Sequence, residues 1–266
     1  MFKQILIKII GLFDKPERPV DIETKECALK ISPNDTRDYK LNIIKAFKQQ
    51  HKSLTKYADI KSQGRIGSCG SHAICTAMEM MYKIRAIELP QDKLSELFHY
   101  YIVRQNGYEN TYPSDSGQTL RNGFRVAQHT GIAPEVLHKY NTNNLNKKPN
   151  SFARSFARFF KCLYYYRLHS IDDIKTAIMS NKPVIVGLTV TYSFMNPTGD
   201  VYEHKYLHNY GGHAVVVTAY DDNDETLEIV NSWGYRWGNK GTLKIKYNDF
   251  KRLYFEAWAL DIDTKR

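Results

Sequence analysis

The sequence predicts an α+β fold in which helices come first along the chain and strands follow. In the first half, apolar residues such as Ile74, Ala77 and Met81 recur at helical spacing, which is typical of a helix with one buried face. In the second half, β-branched or alternating runs are separated by turns such as residues 220–224, which is typical of strands. This change of period predicts two lobes.

The individual elements follow from the same patterns. The first predicted helix begins at Cys69 and has about five turns, and further helices are predicted at residues 94–104, 120–129 and 171–180. Strands are predicted at residues 184–190, 214–220, 227–230 and 242–247. Gly131 follows the third helix as a C-cap would, and Asp172 and Asp173 favour the N-terminus of the fourth.

Two regions divide the chain. Residues 1–45 read as an N-terminal extension or linker, because they are polar, rich in proline and without a sustained period. Residues 46–266 are predicted to form one domain. Within the extension, residues 1–13 favour an amphipathic surface helix or a docked segment over a signal peptide, because Lys8 interrupts the apolar stretch. Such a segment could dock weakly on a membrane or a protein.

The net charge of +10 is unevenly placed. Residues 139–167 contain seven Lys or Arg and no Asp or Glu. A basic surface can attract nucleic acid, anionic lipid or acidic protein, but no nucleic-acid motif accompanies the charge. The simpler interpretation is a solvated basic face, and nucleic-acid binding is not predicted.

The four cysteines do not form a disulfide framework. If Cys69 is a free thiol, the remaining three (Cys27, Cys75 and Cys162) cannot all pair within the chain. This usage favours the cytoplasm or another reducing compartment. An effector exported from the cell is the alternative. The oligomeric state is not indicated by the sequence.

A glutamine and a cysteine near the front of the domain have the character of a nucleophile site. Cys69 lies at the predicted start of a helix, where the helix dipole and the first backbone N–H groups favour a thiolate. Gly64 and Gly67 allow a tight loop and let another backbone approach closely. Gln63 lies six residues before the cysteine, so its side-chain amide and the Cys69 N–H could stabilise one oxyanion.

A histidine and an asparagine near the end of the chain supply the complementary groups. His213 follows Gly212 at the start of an apolar strand, and Asn231 ends the next strand, so that pairing of the strands would bring them together. An Asn231 carbonyl that accepts the Nδ1 proton of His213 would leave Nε2 facing the thiol. Trp233 could cover this hydrogen bond from water.

These segments together resemble the papain family of cysteine peptidases. The resemblance rests on residues 63–69, 212–214 and 231–241, with agreement at 94–101, 115–117 and 173–184. It spans roughly residues 54–260, and the separation from Cys69 to His213 (213 − 69 = 144) lies within the family's range. The chain is most similar to prokaryotic-type members.

The resemblance implies a function and a role for each residue. It implies a papain-like two-lobed fold with a helical N-terminal lobe and a β-barrel-like C-terminal lobe, and a cysteine peptidase, most simply an endopeptidase, that acts on protein or peptide substrates. Cys69 would be the nucleophile, His213 the base, Asn231 its orienting partner and Gln63 the oxyanion donor. The substrate-binding residues would be Gly67, Ser68, Asp115, Ser116, Gly117, Gly212 and Trp233. No cofactor and no metal are implied, and His204 and His208 lack the partners of a zinc site.

Two positions depart from the family pattern. Ile66 stands where secreted members carry a disulfide cysteine, and Gly70 replaces the usual aromatic residue after the nucleophile. His72 shares a helix face with Cys69, and a structural role is favoured for it. The alternative function is a catalytically silent papain-like scaffold that binds a protein or an anionic surface through its basic face.

Overall fold

The structure is a computed structural model and describes residues 27–36, 38–40, 49–205 and 208–264. The surface segment predicted at residues 1–13 therefore lies outside the described residues. No described helix combines the length and the apolar character that crossing a membrane requires.

Several of the helices begin at residues whose side chains cap them. In the described ranges they are α1 (Cys69–Ile84), α2 (Glu96–Val103), α3 (Leu120–His129), α4 (Ser151–Ala157), α5 (Ile171–Met179), α6 (Tyr192–Met195) and α7 (Tyr247–Leu253). Ser95 and Thr119 each accept a hydrogen bond from the backbone N–H three residues on, at the start of α2 and α3. Ser170 and Asp173 form a reciprocal capping box at α5. These bonds satisfy N–H groups that would otherwise lack partners.

The strands form one largely antiparallel sheet. They are β1 (Tyr39–Lys40), β2 (His51–Ser53), β3 (Cys162–Leu168), β4 (Val184–Thr191), β5 (Asn209–Asp221), β6 (Thr226–Val230), β7 (Thr242–Lys246) and β8 (Tyr254–Ile262). Their order is β1-β3-β8-β4-β5-β6-β7, and β2 pairs with β5. Only the β1–β3 pair is parallel among these described strands.

The core lies between α1 and the sheet. α1 packs against β5, β8 and β4, and side chains such as Ile74 and Met78 are fully buried there. β4 is buried on both faces, which explains why its sequence is a continuous apolar run. This packing places the first turn of α1 beside β5, where the residues predicted to be catalytic meet.

The predicted helices and strands are present, with boundaries that differ by a few residues. The largest difference is β5, which begins at Asn209 instead of residue 214 and so includes His213. The sequence patterns missed the strands β1, β2, β3 and β8 and the short helices α4, α6 and α7. β8 begins directly after α7 ends, so that no turn signal separates them, and β3 has partly exposed aromatic residues instead of clean alternation.

The basic stretch lies on the outside of the molecule. Lys147, Lys148, Arg154 and Arg158 are all exposed. The opposite face of α4 is apolar and faces the interior, where Ala153, Phe156 and Ala157 are buried. This arrangement agrees with the interpretation of a solvated basic face.

Candidate active site

Cys69 is the first residue of α1, and its side chain is fully buried. The loop before it is held by two sets of backbone hydrogen bonds. The Ser68 N–H donates to the Ile66 carbonyl at 2.8 Å, and the Gly67 N–H donates to the carboxylate of Asp115 at 3.1 and 3.2 Å. The loop therefore fixes the thiol at the N-terminal end of the helix.

Burial and hydrogen bonding act in opposite directions on the pKa of the Cys69 thiol. Burial is the largest cause of a net rise to about 12, and nearby Cys27 also raises it, while backbone N–H groups of Ala214, Gly70 and Cys69 lower it. The sequence predicted that the helix terminus favours a thiolate. The N–H groups act in that direction, and the loss of water around the sulfur acts against it.

His213 and Asn231 meet as predicted, but through the other ring nitrogen. The Nε2 atom of His213, not Nδ1, lies 2.8 Å from Asn231 Oδ1, and both residues are buried. Nδ1 is the ring nitrogen closer to the histidine backbone, and the Cys69 sulfur lies against the N–H of the next residue, Ala214. The predicted orientation of the ring is therefore corrected, because Nε2 and not Nδ1 faces Asn231.

An aromatic cluster covers the histidine. The indole of Trp233 stacks on the His213 ring with centroids 4.3 Å apart and an interplanar angle of 30°. Trp237 packs against Trp233 at 5.7 Å, and its Nε1–H donates to the carbonyl of Phe194 at 2.9 Å. Phe194 closes the cluster against both tryptophans. Water is thus kept from one face of the imidazole, which strengthens the bond to Asn231.

Gln63 is buried, and both the oxygen and the nitrogen of its side-chain amide form hydrogen bonds. Its Oε1 accepts a hydrogen bond from Ser232 Oγ at 2.7 Å, and its Nε2 donates to the Ile66 carbonyl at 3.0 Å. The Gln63 N–H also donates to the Ser232 carbonyl at 2.9 Å. These bonds tie the glutamine both to the cysteine loop and to the segment that carries Asn231 and Trp233.

A buried ionic cluster lies next to this segment and was missed by the sequence analysis. Lys61 Nζ lies 2.5 Å from Glu79 on α1 and 2.8 Å from Glu96 on α2, and all three side chains are buried. Glu79 also accepts the Leu94 N–H at 2.7 Å. Burial raises the pKa of Glu79, and Lys61 lowers it. No sequence signal marks the cluster, because its members are 17 to 35 residues apart in the chain.

The chain's own N-terminal segment lies across the predicted substrate wall. We call residues 27–32 the strap. The Leu29 N–H donates to the Gly212 carbonyl and the Lys30 N–H to the Gln118 carbonyl, both at 2.9 Å. The strap runs parallel to both of these wall segments and so lies along the predicted substrate wall.

The wall glycines leave room for the strap. Gly117 has a φ of +70°, and a Cβ there would occupy the place of the Ala28 carbonyl oxygen. A Cβ on Gly212 would likewise meet the Leu29 carbonyl, and one on Gly67 would lie 3.0 Å from the Ala28 Cβ. Backbone approach is therefore possible at these three glycines because they lack side chains.

The other predicted substrate residues bond to the protein itself. Asp115 accepts bonds from the Gly67 N–H and, at 2.6 Å, from the hydroxyl of Tyr100. Ser68 Oγ lies 3.2 Å from His72 Nδ1 and 3.1 Å from the hydroxyl of Tyr140. Ser116 lies beside Gly117 with its hydroxyl buried. In this conformation Asp115 and Ser68 hold the loop that presents Cys69.

The space left by Gly70 is taken by Gln118. A Cβ on Gly70 would lie 2.8 to 3.0 Å from atoms of the Gln118 side chain. Gln118 Oε1 accepts from Ser71 Oγ at 2.7 Å, and Ser71 Oγ in turn lies 2.8 Å from His99 Nδ1. Burial lowers the pKa of His99 to about 4. A neutral polar chain thus replaces the aromatic residue expected after the nucleophile.

Ile66 and His72 are both packed against other side chains of the domain. Ile66 is buried in a small cluster with Leu97 and Tyr100, so that an apolar contact stands where relatives have a disulfide. The ring of His72 packs edge-on against Tyr140 at 4.9 Å. In the described ranges, no group of three His, Cys, Asp or Glu side chains is placed to hold a metal ion.

The sequence matches a family model over most of its length. Residues 44–256 match the model described as papain family cysteine protease, which is more than half of the 266 residues. The chain therefore belongs to the papain family of cysteine proteases. It is accordingly a hydrolase with protein or peptide substrates, and the resemblance seen in the sequence is confirmed.

Relatives of known sequence support this membership. An uncharacterised peptidase C1-like protein of Acanthamoeba polyphaga mimivirus is 34% identical over 217 residues, which cover 74% of this chain and 68% of the viral protein. Bovine cathepsin S is 25% identical over 197 residues, which cover 71% of this chain and 56% of cathepsin S. The chain thus matches little more than half of the length of that cathepsin.

Solved structures share the fold. Xylellain, a cysteine protease from Xylella fastidiosa, superposes with a TM-score of 0.81 at 26% identity, covering 93% of this chain and all of xylellain. Procathepsin L 3 from the larval midgut of Tenebrio molitor superposes with a TM-score of 0.70 at 17% identity, covering 97% of this chain and 78% of that one. The predicted α+β, papain-like fold is confirmed.

Proposed function

We propose that this chain is a thiol endopeptidase in which Cys69 is the nucleophile and His213 its base. One observation carries the proposal. The Cys69 sulfur lies at the start of α1 against the N–H of Ala214, while the adjoining His213 is bonded to Asn231. A thiol, an imidazole and an orienting amide are thus held in the order that acyl transfer requires.

The reaction follows from these positions. His213 Nδ1 accepts the thiol proton, and the sulfur attacks the substrate carbonyl carbon. The imidazolium then gives its proton to the leaving amine, which leaves a thioester on Cys69. Water, deprotonated by the same imidazole, hydrolyses the thioester and restores the thiol. Asn231 keeps the ring oriented through both steps, and Trp233 keeps water away from their bond.

Gln63 is proposed as the oxyanion donor together with the Cys69 N–H. The bond from Ser232 Oγ fixes the oxygen end of the Gln63 amide, so that the nitrogen end faces the cysteine loop. Donors fixed before the reaction need no reorganisation when charge develops on the substrate oxygen. The amide of Gln63 would therefore lower the barrier to attack.

Access to the site is proposed to depend on the strap. Cys27 of the strap lies close enough to Cys69 to raise the pKa of its thiol, and burial of the thiol is the main cause of that rise. When the strap leaves, water returns to the sulfur, and the helix N-terminus and His213 then favour the thiolate. The conformation described here would thus be a closed, resting state.

The route of the strap also supports endopeptidase action. Residues on both sides of the strap continue the chain, and Pro33 beyond it is contacted by Arg121 at 2.7 Å. Gly212 and Gln118 thus bind an internal stretch of this chain, which supports the proposal of endopeptidase action. The silent-scaffold alternative is not favoured.

The proposal is tested by hydrolysis of an unfolded, fluorophore-labelled protein. The wild-type chain is compared with Cys69→Ala and with Cys75→Ala, a matched control on the same helix that is also buried. Loss of turnover in Cys69→Ala alone, with new chain ends inside the substrate sequence by mass spectrometry, is the expected result. Undiminished turnover by Cys69→Ala would refute the proposal.

A further inference from the structure

The strap brings a second cysteine to the surroundings of the nucleophile. Ala28 packs against Gly67 in the loop before Cys69, because its Cβ lies 3.0 Å from the position that a Cβ on Gly67 would take. The preceding residue, Cys27, packs against β5, because its Cβ lies 3.1 Å from the position that a Cβ on Gly211 would take. Cys27 therefore lies between the loop that presents Cys69 and the strand that carries the histidine.

The two thiols are close enough for one to act on the other. Besides burial, which is the main cause, nearby Cys27 raises the pKa of the Cys69 thiol, as a second group that can become negative does. The Cys69 sulfur lies against the N–H of Ala214 on β5, and the strap is bonded to the same strand through the Gly212 carbonyl. The pairing of the strap with β5 therefore also keeps the two thiols near each other.

Cys27 is also the cysteine that solvent reaches. All four cysteines lie in the described ranges, and Cys27 is partly exposed whereas the other three are buried. At the start of β5, which Cys27 contacts, Tyr210 is exposed as well. Oxidation of a cysteine depends on access to the sulfur. A dissolved oxidant therefore meets Cys27 before it meets Cys69.

From this geometry we propose that Cys27 and Cys69 form a reversible disulfide, with a peroxide as the oxidant. The Cys27 thiolate attacks one peroxide oxygen, the O–O bond breaks, and the leaving hydroxide takes up the proton that Cys27 has lost. Cys27 is then a sulfenic acid. The Cys69 sulfur attacks the Cys27 sulfur, the S–O bond breaks, and the oxygen leaves as water with the Cys69 proton. Two thiols are thus oxidised, and one peroxide is reduced to two molecules of water.

The disulfide closes the site in two ways. It removes the Cys69 sulfur as a nucleophile, and it ties the strap covalently to the start of α1, so that the substrate wall stays covered. A dissolved dithiol reverses both effects by thiol–disulfide exchange and is itself oxidised. Reversible disulfides of this kind are the ones found in reducing compartments. The control of activity rests on the proposed peptidase function, whereas the bond between the two cysteines does not.

The first test maps the bond in the full-length chain. The reduced protein is treated with hydrogen peroxide, its remaining thiols are blocked with iodoacetamide, and it is digested without a reductant for mass spectrometry. A linked pair of peptides that contain Cys27 and Cys69 is expected in the wild type and in the control Cys75→Ala, from protein that runs as a monomer on a non-reducing gel. The pair should be absent from Cys27→Ser. A wild type that lacks the pair, or that links Cys69 to Cys75 or Cys162 instead, would overturn the proposal.

The second test measures whether Cys27 makes the oxidation of Cys69 reversible. The wild type and Cys27→Ser are each held in peroxide until Cys69 no longer reacts with iodoacetamide, and are then reduced with dithiothreitol. The wild type is expected to regain its alkylation of Cys69. Cys27→Ser should regain at least about tenfold less, because a sulfenic acid without a second thiol is oxidised further to acids that a thiol does not reduce. Equal recovery in the two proteins would overturn the proposal.

Peptide hydrolysis by the same samples separates this inference from the proposed function. If the reduced wild type cleaves no peptide, the peptidase proposal fails, and the linked peptides and the recovery of alkylation still decide whether the disulfide forms. If the reduced wild type cleaves peptides but peroxide produces no bond between Cys27 and Cys69, the peptidase proposal stands and the disulfide is wrong.

Discussion

The carbonyl oxygen of Ala28 occupies the space where a Cβ atom on Gly117 would lie. The strap and the substrate wall thus touch backbone to backbone, directly beside the loop that presents Cys69. A contact this close is sensitive to the size of the side chain at position 28, because the Ala28 Cβ lies 3.0 Å from the Cβ position of Gly67.

Enlarging residue 28 should therefore open the cleft. Ala28→Trp cannot fit between Gly67 and Gly117, so the strap is expected to leave, water to reach Cys69 and the pKa of its thiol to fall from about 12. The pH profile of iodoacetamide alkylation checks this, and its midpoint should move to lower pH. Ala28→Ser, which is nearly as small, should keep the wild-type profile. An unchanged profile in Ala28→Trp would mean that the strap does not control the thiol.

The Gln63 amide should matter for the rate and not for binding. Gln63→Glu keeps the shape of the side chain but replaces the Nε2 donor by a carboxylate oxygen. Loss of an oxyanion donor lowers kcat by roughly 100- to 1,000-fold, with KM expected to change little. Steady-state kinetics with one peptide measure both constants. A change confined to KM would assign Gln63 to substrate binding instead.

The stacked indole of Trp233 should support both stability and catalysis. Trp233→Ala removes a buried ring and is expected to lower the free energy of unfolding by about 3–5 kcal/mol. It also exposes the bond between His213 and Asn231 to water, so that kcat should fall. Trp233→Phe keeps an aromatic face and should recover most of both quantities. Chemical denaturation and peptide hydrolysis measure the two effects, and full activity in a folded Trp233→Ala would contradict the shielding role.

The buried Lys61–Glu79–Glu96 cluster should give stability a dependence on pH. The pKa of Glu79 is raised in the folded state, so the folded chain binds more protons than the unfolded chain between the two pKa values. Its contribution is therefore fully present below the unfolded value of about 4.3 and is lost as the pH rises through the raised value. The wild type should lose stability relative to Glu79→Gln as the pH rises from about 4.3 to about 7.

Urea denaturation at several pH values measures this difference. Glu88→Gln is the matched control, because Glu88 is exposed and should leave the wild-type dependence intact. A constant difference between the wild type and Glu79→Gln across this range would show that Glu79 does not titrate as described.

The order of the elements and the catalytic pair could be predicted because local patterns encode them. Cys69 follows a glycine-containing loop and begins an amphipathic helix, and His213 and Asn231 lie on strands with clear apolar runs. The orientation of the imidazole could not be predicted in this way. It depends on which ring nitrogen reaches across from β5 to the end of β6, and that depends on the register of the two strands.

The surroundings of the Cys69 sulfur were also beyond sequence reasoning. The helix terminus acts within a few residues and can be recognised locally, but Cys27 of the strap and Ala214 of β5, which both act on the pKa of the thiol, are distant in the sequence. Long-range contacts of this kind leave no periodic signal.

The most direct test of the account is the site of covalent labelling by a peptide epoxide. Full-length Ala28→Trp is treated with the epoxide, digested and mapped by mass spectrometry, with Cys27, Cys75 and Cys162 as internal comparisons. The account predicts a single adduct on Cys69 that forms far more slowly after His213→Ala. An adduct on another cysteine, or a rate on Cys69 that does not depend on His213, would contradict it.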